Sequence, residues 1–170
     1  MLVVSDASPI NVLIRIGQID VLPALFQSVV IPTAVAEEMT RPATPQMVRD
    51  WMAHPPAWFS IRAPHTTVNP TMLRHRGERD AISLAQEIHA DALLLDEEKA
   101  RAEALALGVA VIGTAGVLQR AADQGLIADL KAVHDLLRQA KFHVSEKILN
   151  ESLARHLAFK QARRDQFRAD

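Results

Sequence analysis

The chain has 170 residues, 49% of them hydrophobic and 23% charged, with a net charge of −1 and no cysteine. That is about one domain with enough apolar material for a core, and too much for a disordered chain. The missing thiols exclude disulfides and thiolate metal sites; no apolar run approaches the roughly 18 residues of a membrane span, and Met1-Leu2-Val3-Val4-Ser5-Asp6 lacks the basic lead of a secretory signal, so a soluble cytoplasmic protein is expected.

Taken in chain order, short β-branched runs alternate with helical patterns. Strands are predicted at Leu2–Ser5, Ser28–Ile31, Trp58–Ile61, Ala92–Leu95 and Val109–Ile112. Ser8-Pro9 reads as the start of the first helix, with Ser8 as its cap, ending near Gly17. Asp20 caps a short helix through Phe26, and Thr33 caps the helix that carries Glu37 and Glu38. Residues 41–70 hold six of the nine prolines. They predict a short helix at Gln46–Ala53 within irregular loop, followed by an edge strand. Helices at Gly77–Ala90 and Glu97–Leu107 follow, the second stopped by Gly108. After the fifth strand come helices at Thr114–Asp123, Asp129–Ala140 and Ser145–Arg164. The βαβ alternation predicts a parallel sheet with helices on both faces, an α/β/α sandwich. Residues 1–140 are read as the α/β domain and 141–170 as a helical C-terminal extension packed on or near it.

Charge is uneven along the chain. Residues 1–137 carry 11 basic and 16 acidic side chains, whereas residues 138–170 carry 8 and 4. The basic end fits either a solvated terminal helix or local steering of a polyanion.

Four acids lie where a parallel sheet gathers its ligands. Asp6 and Asp96 each follow an apolar strand, and open α/β sheets bind ligands beyond the carboxyl ends of their strands, where strand order reverses. In the order 3-2-1-4-5 the first and fourth strands flank that reversal, which puts Asp6 beside Asp96. On the helix starting at Thr33, Glu38 falls within about 60° of the apolar Val35, and Glu37 roughly 160° away, so Glu38 is the inward candidate. Glu78 falls on the stripe of Ala81, Ile82, Leu84, Ala85 and Ile88, with Asp80 on its flank. Each acid has an ordinary alternative: Asp6 opening an Asx turn, Asp96 capping a helix, Glu78 and Asp80 complementing a helix dipole. Thr114 is an accessory hydroxyl for a ligand, or an ordinary cap. Together, carboxylates without cysteine or a histidine pair ask for a hard cation, Mg²⁺ or Mn²⁺, and such sites most often serve phosphate chemistry. Arg74, Arg76, Arg79, Lys99 and Arg101 are the basic side chains expected to contact a phosphate backbone, or else to form surface ion pairs. No phosphate loop or dinucleotide fingerprint is present, which removes nucleotide-dependent readings.

Five segments in this order, Val4-Ser5-Asp6-Ala7-Ser8-Pro9-Ile10, Ile31 to Met39, Gly77 to Ala85, Leu93 to Arg101, and Gly113-Thr114-Ala115-Gly116-Val117-Leu118, resemble those of PIN-domain proteins. The resemblance is to the VapC-like and predicted nucleic-acid-binding members found in prokaryotes, and it covers about residues 2–140. It implies a PIN-like sheet in the order 3-2-1-4-5 and an acidic pocket for one or two Mg²⁺ or Mn²⁺ ions. The implied activity is hydrolysis of RNA phosphodiester bonds, usually endonucleolytic. Carried over by position, Asp6, Glu38 and Asp96 match the family's acids, followed by Glu78, with Thr114, Asp80, Glu97 and Ser8 as accessory positions. Glu97 stands where many relatives have a second aspartate, and the third acid reads as Glu78 or Asp80. A toxin role implies an antitoxin protein as partner, and a homodimer is common among relatives. The stripe of Ile148, Leu149, Leu153, Leu157 and Ala158 on the last helix fits such a contact, or packing on its own domain. The rival reading is a non-catalytic PIN-like module that binds nucleic acid or regulates.

Overall fold

Leu2–Ser5 is too short and too apolar to stand alone, and it is buried by strands on both sides. The computed structural model describes residues 1–67 and 75–169, with side chains to 166. Its five strands are β1 (Leu2–Ser5), β2 (Ser28–Pro32), β3 (Phe59–Arg62), β4 (Ala92–Leu94) and β5 (Val111–Ile112). All pair in parallel, in the order β3-β2-β1-β4-β5. The predicted architecture and strand order are therefore those observed, and β3 is the edge strand expected.

Alternate residues on neighbouring strands face opposite sides. Val4, Val30, Leu93 and Leu95 share one core cluster with Ala81, Ile82 and Leu84. Val3, Val29, Ile31 and Leu94 are buried on the other face. Cover on both faces explains why the strands read as continuous apolar runs. Travel from β1 to β3 runs one way along the sheet and from β3 to β5 the other. Right-handed crossovers then place the connecting helices on opposite faces.

The first stretch carries α1 (Ala7–Arg15), α2 (Val21–Leu25), α3 (Thr33–Met39) and α4 (Gln46–Ala53), and the second α5 (Arg76–Glu87) and α6 (Glu98–Ala106). Several boundaries differ from expectation at their caps. α1 starts one residue before Ser8 and has Asp6 at its cap position; Pro32 rather than Thr33 precedes α3. In both cases the strand runs straight into the helix, so the last extended residue takes the cap position. Trp51 of α4 packs with Trp58 and Phe59, both tryptophans edge-on to Phe59, with Trp51 and Phe59 centroids 4.9 Å apart.

The chain divides into two compact units, residues 1–114 and 115–170. The second comprises α7 (Thr114–Asp123, opening at the boundary), α8 (Leu130–Gln139) and α9 (Glu146–Ala169). In it Leu149, Ser152 and His156 form the buried face of α9. His156 Nδ1 lies 2.6 Å from Asp123 Oδ1, and Ser152 Oγ donates to the Ala115 carbonyl at 3.3 Å. Of the apolar stripe expected on α9, Leu149 is buried, Leu153 partly so, and Ile148, Leu157 and Ala158 are exposed. Among the described residues no helix is long and apolar enough to cross a membrane.

Candidate functional site

The carboxyl ends of β1 and β4 place Asp6 and Asp96 at one end of the sheet, as expected. Asp6 donates its backbone N–H to the Leu94 carbonyl at 3.0 Å, so it stands level with Leu95. Asp96 is one residue further on. The two acids keep different company.

Asp6 is buried, and no side-chain capping bond ties it to α1. Burial raises its pKa to about 7, and repulsion from Glu38 and Glu78 adds to the rise. The backbone N–H groups of Ala7 and Ser8 oppose it. Ser8 itself is exposed, in the first turn of α1 rather than at its cap. Gly77 is what lets these carboxylates approach. A β-carbon at Gly77 would lie 3.3 Å from Glu38 Oε2, 3.3 Å from Val35 Cγ2 and 3.4 Å from Asp6 Oδ1. The two oxygens are thus no further apart than the sum of their distances to one point. Helices α3 and α5 pack together here, and a larger residue at 77 would force them apart.

Glu38 is exposed, not buried on the Val35 face. Its carboxylate nevertheless turns to Asp6, while Glu37 pairs outward with Arg76 at 3.2 Å. The inward direction was legible from helical period; the burial was not, because α3 is only seven residues long. On α5 the expected order of burial is reversed. Asp80 is buried and lies 3.5 Å from Arg76 Nε, whereas Glu78 is only half-buried. Asp80 lines up with the buried Gly77 and Leu84, three residues before and four after it. Glu78 keeps the azimuth of Ala81 and Ile82, but one turn too early for full cover. Burial raises the Glu78 pKa first; the nearby His75 opposes this, and Glu97 and Glu38 add repulsion.

Asp96 is partly compensated instead. Thr114 donates its backbone N–H to Oδ1 at 2.8 Å and its hydroxyl to Oδ2 at 2.6 Å. Burial raises the Asp96 pKa, and Thr114 and the Arg101 guanidinium offset only part of that rise. Arg101 Nη1 also donates to the Leu95 carbonyl at 2.8 Å. Gly113 leaves room for this corner: a β-carbon there would meet Arg101 Nη1 at 3.0 Å and Asp96 Oδ1 at 3.2 Å. Asp96 does not cap α6. Glu97 does, accepting the Ala100 N–H at 2.6 Å.

The expected basic contacts fare differently. Arg76 is engaged with Glu37 and Asp80, and Arg101 with the Asp96 corner. Arg79 is partly buried, Lys99 is exposed, and Arg74 lies outside the described residues. His75, Gly77 and Gly113 were not singled out from the sequence. The only trace of the two glycines there is their position directly before Glu78 and Thr114.

Among the described residues no three histidines, aspartates or glutamates stand close enough to form a ready-made metal site. The donor chemistry still fits a hard cation. Asp6, Glu38 and Glu78 offer only carboxylate oxygens, and Asp6 is buried with no countercharge among the causes that act on it. That deficit is what a cation would fill.

The chain belongs to the PIN-domain family, whose model matches residues 2–157. Members of that family are generally nuclease-like and typically use divalent metals. A solved structure of a PilT N-terminus domain protein from the hyperthermophilic archaeon Sulfolobus solfataricus P2 is similar at a TM-score of 0.45 and 15% identity. That likeness covers 86% of this chain and 98% of the other. No curated protein matches the chain.

Proposed function

We propose that this protein is a metal-dependent ribonuclease that hydrolyses RNA phosphodiester bonds internally, with VapC-like toxins as its functional model. The observation that carries the reading is Asp6, buried at a strand end with Glu38 and Glu78 repelling it. A burden of this kind, sustained at the mouth of an α/β sheet, marks a functional group more often than a structural one. Asp6 and Glu38, with Glu78, would hold Mg²⁺ or Mn²⁺. Held there, such an ion would supply positive charge against the phosphoryl group and lower the pKa of water.

The remaining work falls to the chain's own side chains. Thr114 fixes the Asp96 carboxylate in one orientation at the end of β4, where it can accept a proton or order water. The Arg101 guanidinium favours the charged form of that carboxylate against the burial that raises its pKa. His75, exposed at the start of α5, and the exposed Lys99 are available to phosphate oxygens. The toxin model adds an expectation outside the chain: growth arrest on expression, relieved by a partner that covers the carboxylates with a basic side chain. The test is cleavage of a labelled RNA in Mn²⁺ by the intact protein and by Asp6→Asn. Cleavage is expected from the first alone.

One observation favours a second reading. Thr114 already donates two hydrogen bonds to Asp96 without any ion, as a non-catalytic nucleic-acid-binding module would allow. Melting in rising Mn²⁺ separates the two, since such a module gains no stability from the metal.

A further inference from the structure

The basic excess of residues 138–170 has a definite place in the second unit. α9 packs through Leu149, Ser152 and His156 and then keeps going. From Leu157 to Gln166 every side chain is exposed. An unpacked helical end of that length has little stability of its own in water. Charge makes it worse: between Ser152 and Gln166 the sequence holds Arg155, Lys160, Arg163 and Arg164 against one acid, Asp165. Lys160 faces Arg163 and Arg164 at i,i+3 and i,i+4, where like charges destabilise a helix.

Most other cations of the unit are matched, Arg120 and Lys141 excepted. Lys131 pairs with Asp135, Arg138 with Asp135 and Glu146, Lys147 and Arg155 with Glu151. Among the described residues Lys160, Arg163 and Arg164 enter no salt bridge. By helical period these three project within about 100° of arc, as one stripe. Arg163 also lies 5.8 Å from the centroid of the exposed Phe159 ring. A helix dipole rewards cations in its last turn, and these stand a turn or more before the end.

We infer that the exposed half of α9 is an arm that binds the phosphate backbone of single-stranded RNA through Lys160, Arg163 and Arg164. The inference rests on the ribonuclease reading for its choice of polyanion. Its warrant is charge complementarity: a polyphosphate relieves the repulsion along the stripe and supplies what the helix lacks. Recognition of this kind positions a strand without reading its sequence.

The test uses the full chain in EDTA, with a fluorescein-labelled oligouridylate followed by anisotropy from 50 to 200 mM KCl. The variant Lys160→Gln/Arg163→Gln/Arg164→Gln is expected to weaken binding at least tenfold at the lowest salt. Its log–log salt dependence should flatten by about two, at roughly 0.7 per lost phosphate contact. A control removing equal charge, Lys131→Gln/Lys141→Gln/Lys147→Gln, should stay within about twofold of the unaltered chain. Equal weakening by both triples, or by neither, overturns the arm. So does a triple that leaves RNA binding intact while Leu157→Glu halves the sedimenting mass, which would assign the face to a second copy. Cleavage in Mn²⁺ is scored separately. A flattened slope without cleavage by the unaltered chain keeps the arm and sinks the nuclease reading; cleavage with an unchanged slope does the reverse.

Discussion

Asp6 and Asp96 close neighbouring strands of one sheet, yet their surroundings are opposite in sign. Asp6 faces Glu38 across the gap left by Gly77 and is repelled by Glu78 as well, whereas Asp96 receives the hydroxyl and N–H of Thr114 and, beside Gly113, the Arg101 guanidinium. Burial raises the pKa of both; at Asp96 the Thr114 hydrogen bonds and the Arg101 charge offset part of that cost, whereas at Asp6 two carboxylates add to it. The difference teaches that sequence position marks a candidate, while the neighbours decide whether it is a structural fixture or an unbalanced charge awaiting a partner.

The sharpest way to break the comparison is Asp6→Asn. RNA cleavage in Mn²⁺ should fall at least a thousandfold, an order-of-magnitude figure for losing both charge and ligand from a phosphoryl-transfer site. Rate measurements on purified variant protein check it. Stability should move the other way. The folded pKa of Asp6, about 7, lies above its unfolded value, so the folded state favours the protonated form. Stability from this group is therefore greatest below about pH 4 and declines as pH rises toward 7. Removing the charge should gain on the order of 3 kcal/mol in metal-free buffer at pH 8, and almost nothing at pH 4. Thermal melts at the two pH values read this directly.

Thr114→Val tests the other side. Its hydroxyl bond to Asp96 is lost while the backbone N–H remains, and both partners are short of water. A loss of about 1–2 kcal/mol is expected in urea melts, without the pH-dependent gain seen for Asp6→Asn.

The smallest effect on stability belongs to Gly77→Ala. Alanine is favoured over glycine in a helix by up to about 1 kcal/mol, and contacts at 3.3–3.4 Å take some of that back. Urea melts should stay within about 1 kcal/mol of the unaltered protein, while Mn²⁺ affinity drops because the Asp6 and Glu38 carboxylates are pushed apart.

The architecture was legible because β-branched runs and helical periods alternate in the sequence, and both faces of the sheet are covered. Strand order came from the resemblance alone. At the site, the orientation of Glu38 toward Asp6 could be read from helical period. The half-burial of Glu78 and the burial of Asp80 could not, because period gives azimuth and says nothing of how far along a helix the cover extends. Arg76 and Arg101 looked like free phosphate contacts, since a sequence does not reveal which cations meet an acid inside the fold.

Calorimetric titration of Mn²⁺ into the metal-free protein at pH 7.5, beside Asp6→Asn and Thr114→Val, addresses the central claim most directly. Saturable binding is expected for the unaltered chain and Thr114→Val, and none for Asp6→Asn. Equal binding by Asp6→Asn, or none by the unaltered chain, would contradict the claim that the Asp6 carboxylates await a cation.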